Sequence, residues 1–231
     1  MSRRVKMMML CLMALLISGM IAFTHASQAS VPDSYNAKES YALARGAMLY
    51  LRVMGNGEAV KAVGSGVIIS TDGTAVTAYH VVKGGERIEG VLSDGKVVGP
   101  ITVTAYDELT DAAILQLPPT RVVKGKKETY PYLAMRESKL AYGEKVYALG
   151  YPMKDTPVIT EGIVNNPNAE VNGRGRILTS AQIVSGMSGG PVLDEQGRLS
   201  GIVSGSMRTM PGIHLAIDMD AVRSLLQTAS H

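Results

Sequence analysis

Three side chains able to carry acyl-transfer chemistry stand in the order His80, Asp111, Ser188. The serine lies in Gly186-Met187-Ser188-Gly189-Gly190-Pro191, followed by the apolar step Val192-Leu193. Glycines on both sides permit a sharp bend that exposes a hydroxyl and aims backbone N–H groups at a neighbouring oxyanion. Pro191 ends the bend and starts an extended segment. Taken alone, the hexamer also fits a Gly/Ser surface turn. His80, near the end of the apolar run Thr77-Ala78-Tyr79-His80-Val81-Val82, also fits a hydrogen-bonded core histidine. The order adds what neither motif has alone. A base and an orienting carboxylate fall in the first half and a serine in the second, the arrangement in which a cleft between two barrels assembles a triad.

A metal site is a poor alternative. Of four histidines, His25 lies within the N-terminal 29 residues and His231 is the last residue, which leaves His80 and His214. No Cys, Asp or Glu cluster has ligand spacing, so neither a metal nor another cofactor is expected.

The elements that must position these groups read as short strands. Gly is frequent, Trp is absent and Phe occurs once, a composition that suits an all-β chain with many turns. Extended runs at 47–54, 59–63, 66–70 and 74–78 are separated by Gly55-Asn56-Gly57, Gly64-Ser65 and Asp72-Gly73, the last a strong hairpin signal. Further strands are expected at 86–92, 96–106 and 111–117. The second half repeats the manner at 145–151, 158–165, 170–171 with 176–183, 191–194, 198–207 and 212–217. Residues 37–45 fit a short helix. Asp220 to Gln227, with Val222, Leu225 and Leu226 on one face, fits an amphipathic one capped by Asp218 or Asp220. The expected fold is all-β, two six-stranded antiparallel β-barrels with a C-terminal helix. Its divisions are an N-terminal extension at 30–44, a first barrel at 45–117, a linker at 118–144, and a second barrel with the helix at 145–231.

Residues 1–29 read as a secretory signal. Arg3, Arg4 and Lys6 precede the apolar run Met7 to Phe23, and small residues follow at Thr24, Ala26, Ser27 and Ala29. The rival is an uncleaved membrane anchor, for which the run is marginal in length. The expectation is therefore a protein exported to the periplasm or secreted, touching the membrane only if the segment is retained. The single cysteine, Cys11, lies in this segment, so the exported chain would have no disulfide. The formal charge of +3 also falls to about zero without the three basic residues, which argues against a nucleic-acid partner.

The motifs together resemble those of the chymotrypsin-like serine proteases of the bacterial HtrA/Deg type, over roughly residues 45 to 228. Gly64-Ser-Gly-Val-Ile-Ile-Ser-Thr-Asp-Gly73 leading to Thr77–Val82 is similar to the histidine block, and Thr110-Asp-Ala-Ala-Ile-Leu115 to the aspartate block. Gly186–Pro191 is similar to the serine block, and Gly201-Ile-Val-Ser204 with Gly212-Ile-His-Leu-Ala-Ile217 to the two substrate-pocket strands. The resemblance implies peptide hydrolysis through an acyl-enzyme. Ser188 would be nucleophile, His80 general base and Asp111 its orienting partner. The N–H groups of Gly186 and Ser188 would form an oxyanion hole, and Ser204 would support Asp111. Substrate-binding candidates are Gln182, Ile183, Ser204, Gly205, Ser206 and His214. No acid stands at Gln182, so a preference for Arg or Lys is not expected. His214 fits a pocket wall or a strand residue facing the helix.

Met187 departs from the Asn or Asp usual in the family, there is no Ile-Val-Gly-Gly start, and no room is expected for a PDZ domain after the helix. The implied partners are protein or peptide substrates, with homo-oligomerisation open. The competing reading keeps the fold as a binding or chaperone-like module whose site is closed or conditionally active. An esterase-like elbow fits poorly, because Ser188 is followed by Pro191 and a strand rather than a helix.

Overall fold

The computed structural model describes residues 34–56, 59–120, 122–123, 126–207 and 209–229. The signal-peptide reading lies outside them. Helix α1 (Ala37–Ala44) opens the described chain, with Asn36 and Glu39 forming a reciprocal capping box. A 3-10 turn over Arg45–Ala47 delivers the chain into β1 (Met48–Met54). Then come β2 (Val60–Ile68), β3 (Thr74–Ala78), the one-turn helix α2 (Tyr79–Val82), β4 (Arg87–Val91), β5 (Val97–Val98), β6 (Thr102–Asp107) and β7 (Ala112–Gln116).

These strands form one antiparallel sheet in the order β5-β4-β1-β2-β3-β7-β6. The central strand β1 is buried on both faces, which is why Met48-Leu49-Tyr50-Leu51 shows no polar alternation. The β2–β3 hairpin turns at Asp72-Gly73 as expected. Gly73 has φ +94°, and the Asp72 carboxylate accepts from the Thr74 N–H at 3.0 Å. Two features matter for the site. Gly64-Ser65, expected as a turn between strands, lies inside the continuous β2, and its glycine answers to crowding, since a Cβ there would meet Val81 at 2.6 Å. The apolar run that holds His80 leaves the strand at Ala78, and residues 79–82 coil into α2.

After the short pair β8 (Val122–Val123) and β9 (Lys126–Lys127), the connecting segment is tied down rather than tethered loosely. Leu133 N–H donates to the Ile68 carbonyl, and Arg136 N–H to that of Leu199. The buried Arg136 guanidinium pairs with Glu144 at 2.7 Å and Asp194 at 3.2 Å. The second sheet consists of β10 (Lys145–Met153), β11 (Thr156–Val171), β12 (Arg174–Thr179), β13 (Pro191–Asp194), β14 (Leu199–Ser206) and β15 (His214–Asp218). It closes as a barrel in the order β10-β11-β12-β15-β14-β13. Its interior holds Val146, Ala148, Val164, Ile177, Val192, Val203 and Ala216. The all-β architecture of two curled sheets and a C-terminal helix is the one expected, with seven strands rather than six in the first sheet. Helix α3 (Met219–Ala229) starts with its Asp220 N–H on the Asp218 carboxylate at 2.6 Å and packs back on β6 and β7, burying Val222 and Leu225. No helix of the described residues is long and apolar enough to cross a membrane.

Candidate active site

The histidine and aspartate are positioned by the first sheet. Asp111 sits just before β7 with φ +66°, a left-handed conformation uncommon for a residue with a side chain. Its carbonyl accepts from Tyr79 N–H at 2.6 Å, and its carboxylate accepts from the His80 backbone N–H at 3.0 Å. Both bonds need the turn at α2, and the Tyr79 ring stacks on Tyr106 of β6 at 4.5 Å to hold it. The imidazole Nδ1 then lies 2.9 Å from Asp111 Oδ2 and 3.1 Å from Oδ1. The Ser204 hydroxyl, from the second barrel, donates to Oδ2 at 2.8 Å. Burial pushes the Asp111 carboxyl up, but the bonds from His80 and Ser204 and the His80 charge outweigh it, so the group is held below the usual carboxylate range. Asp111 is buried and the His80 ring is half exposed, so the carboxylate is sealed while the imidazole keeps an open side.

The serine loop is wedged between the two sheets. Gly186 has φ +90°, and a Cβ on it would strike Pro152 Cα at 2.7 Å. At Gly189, φ +87°, a Cβ would stand 2.1 Å from the Ser65 carbonyl. Both positions require glycine. Met187 is fully buried in the second-barrel core, and its sulfur accepts from the Val184 N–H at 3.5 Å. The N–H groups of Met187, Gly189 and Gly190 are committed to the carbonyls of Val184, Val203 and Met187. Those of Gly186 and Ser188 donate to no protein acceptor among the described residues.

Ser65, given no role from the sequence, ties the loop to the first sheet. Its N–H donates to the Ser188 carbonyl at 2.8 Å and its hydroxyl to the Gly186 carbonyl at 2.8 Å. The same hydroxyl accepts from Tyr151 N–H at 2.8 Å, while Thr77 bonds the Ser65 carbonyl at 2.7 Å. A serine between two glycines in a strand carries no sequence signal for this, because every partner is distant in the chain. One expected link is not formed. The Ser188 hydroxyl donates to the Ser204 carbonyl at 3.1 Å, and among the described residues no hydrogen bond joins it to His80.

The substrate-binding candidates divide. Ser204 is half-buried and Ser206 exposed at the end of β14, with Gly205 between them paired to Leu215. Gln182 is exposed, and Ile183 packs in the second-barrel core. His214 is buried, its Nδ1 is 2.8 Å from the Ser206 hydroxyl, and its Nε2 has no partner among the described residues. Burial pulls its pKa below the ordinary histidine value.

Residues 64–202 match the family model described as a trypsin-like peptidase domain. The chain belongs to that family. Its relatives are of the HtrA type. It is 33% identical to the mitochondrial serine protease HTRA2 of Bos taurus over 171 residues, 71% of this chain and 35% of that protein. It is 30% identical to the chloroplastic protease Do-like 1 of Arabidopsis thaliana, over 71% of this chain and 38% of that one. The crystal structure of the serine endoprotease from Yersinia pestis superposes with a TM-score of 0.71 at 25% identity, covering 87% of this chain and 68% of that one. The trypsin-like chain thus spans less than two fifths of the length of these two sequence relatives.

Proposed function

We propose that this trypsin-like chain is an exported serine endopeptidase that cleaves protein substrates through an acyl-enzyme, with a role in protein quality control. The observation that carries the reading is the chain of bonds from Ser204 through Asp111 to His80, next to a glycine-bounded serine. Asp111 fixes the imidazole with its proton on Nδ1, which leaves Nε2 free as a base. For attack, the Ser188 hydroxyl turns from the Ser204 carbonyl to His80 Nε2, which takes its proton as Oγ bonds the substrate carbonyl carbon. The oxyanion then meets the N–H groups of Gly186 and Ser188, each donor worth about 3 kcal/mol at the transition state. His80 passes its proton to the leaving amine, and a water, deprotonated in turn by His80, releases the acyl group.

The second reading, a protease-fold binding or chaperone-like module with a closed or conditionally active site, draws only on the hydroxyl's resting bond to Ser204. Export is supported by the pattern of residues 1–29. Hydrolysis of unfolded casein separates the readings. Wild-type protein should cleave it, with the rate falling at least about 10^4-fold in Ser188→Ala and in His80→Ala. Cleavage at wild-type rates by both variants would sink the endopeptidase reading. Activity that appears only above a threshold of casein would favour the conditional one.

A further inference from the structure

Beside Ser204 lies an open cleft of about 360 Å³ lined by Val171, Asn172, Arg174, Arg176, Ser204 and Leu215. We infer that this cleft is a substrate subsite for a carboxylate side chain, with Arg176 at its base and Arg174 at its rim. The inference rests on the protease reading, because it is the nearness of the cleft to Ser188 that makes its occupant a substrate residue.

The two arginines are two residues apart on β12, so their side chains leave the same face of the strand. The turn Asn172-Gly173, with both residues at positive φ, starts β12 so that Arg174 pairs with Val171 and Arg176 with Ala169. Arg176 is only 5% exposed, yet among the described residues its guanidinium donates to a single acceptor, its neighbour's Gly175 carbonyl at 2.8 Å. No carboxylate lies within ion-pair distance of it among the described residues. Burial lowers its pKa, as for a cation short of compensation.

The other buried arginine shows what a satisfied one looks like. Arg136 pairs with Glu144 and Asp194 and also donates to the carbonyls of Ser138 and Lys139. A guanidinium that opens on a cleft with five donors and, among the described residues, one acceptor can take a planar anion. The acidic neighbours do not fill that role. Asp107 and Asp111 act on Arg176 from further away. The Asp107 oxygens are taken by Leu109 N–H and the Thr110 hydroxyl, and those of Asp111 by His80 and Ser204.

Among the described residues the cleft lining contains two cations and no carboxylate, while Val171 and Leu215 offer apolar wall for the methylenes of a glutamate. Ser204 belongs to both places, since its carbonyl holds the Ser188 hydroxyl. A peptide lying along Ser204 therefore brings a side chain within a residue or a few of its scissile bond into the cleft.

The test is a positional-scanning library of amidated, internally quenched octapeptides, each position set in turn to Glu, Gln or Lys. At one position the wild type should cleave the Glu peptides about tenfold faster than the Gln peptides, the discrimination typical of one charge-assisted pair. Arg176→Gln should bring that ratio to about one. Because replacing a buried arginine can cost folding, Arg174→Gln at the exposed rim is made alongside and should lower the ratio severalfold. The same peptides are titrated by fluorescence anisotropy against Ser188→Ala, where binding is read without turnover. Cleavage with Glu and Gln equal at every position overturns the inference and leaves the protease reading standing. Glu-selective binding that Arg174→Gln weakens, in a protein that cleaves nothing, keeps the subsite and overturns the protease reading. Equal binding without cleavage overturns both.

Discussion

Replacing Ser65 with alanine should damage both stability and the reactivity of Ser188, although Ser65 does not itself react. Its hydroxyl bonds two backbone groups, the Tyr151 N–H and the Gly186 carbonyl, each at 2.8 Å. A buried backbone group left unpaired costs about 1–3 kcal/mol. Tyr151 is enclosed and would bear that cost in full, whereas Gly186 is half-buried and can recover part of it from water. The expected loss is therefore about 2–4 kcal/mol, a large share of the roughly 5–15 kcal/mol by which a domain is stable. In Tm this is roughly 5–15 °C for a domain of this size. The Gly186 peptide, freed at its carbonyl, would also lose the fixed direction of its N–H, so inactivation by a phosphonate should slow by about tenfold or more. Ser200→Ala is the control. It is equally buried but removes one local bond, to the Arg198 carbonyl, and should cost about 1 kcal/mol with unchanged inactivation. Urea unfolding and stopped inactivation assays read both quantities. A Ser65→Ala protein within about 0.5 kcal/mol of wild type, inactivated at the wild-type rate, would refute the reasoning.

Met187→Ala should cost about 3–4 kcal/mol, because its neighbours include the Gly150 backbone of β10, which cannot close over the gap. Met187→Asp should cost more, since it would put a carboxylate among Val146, Ala148, Val192 and Val203. An aspartate variant as stable and active as wild type would show that packing does not set the loop. The pH dependence of unfolding has two windows. His214 is held neutral by burial, so its folded pKa lies below the unfolded value of about 6.5, and stability should fall as pH drops beneath that value. His214→Asn should flatten that slope. Asp111 is depressed below about 3.8, so its contribution is present above that pH and is lost as pH falls through its folded pKa. Ser204→Ala removes one of its donors and should move that acid loss to higher pH. Unfolding curves whose slopes are the same in all three proteins would contradict both assignments.

How much was legible depended on how local each cause was. Thr74–Ala78 and Pro191–Asp194 form the strands their residues suggest, because the Asp72-Gly73 turn and Pro191 mark their ends directly. The C-terminal helix follows from a local stripe and its Asp218 cap. Gly64-Ser65 was unreadable for the opposite reason. Its glycine makes room for Val81 and its serine reaches residues 151, 186 and 188, so a tertiary demand imitates a turn signal. The mostly apolar run Thr77–Val82 gives no local sign that the strand ends at Ala78. The α2 turn is imposed by the bonds to Asp111, which override the β-propensity of Val81 and Val82. Arg174 and Arg176 carry no motif, and only the closure of the second barrel buries one of them and leaves the other at a rim. The order His80, Asp111, Ser188 was legible, whereas the resting bond of Ser188 to Ser204 is a side-chain rotamer that no spacing encodes.

The central claim is that Ser188 is a nucleophile made reactive by its setting. Treating the folded protein with a fluorophosphonate and mapping the adduct by peptide mass spectrometry tests it most directly. One adduct per chain is expected, on the peptide containing Ser188, absent in Ser188→Ala and strongly slowed in His80→Ala. An adduct on another residue, or equal labelling of wild type and Ser188→Ala, would contradict it.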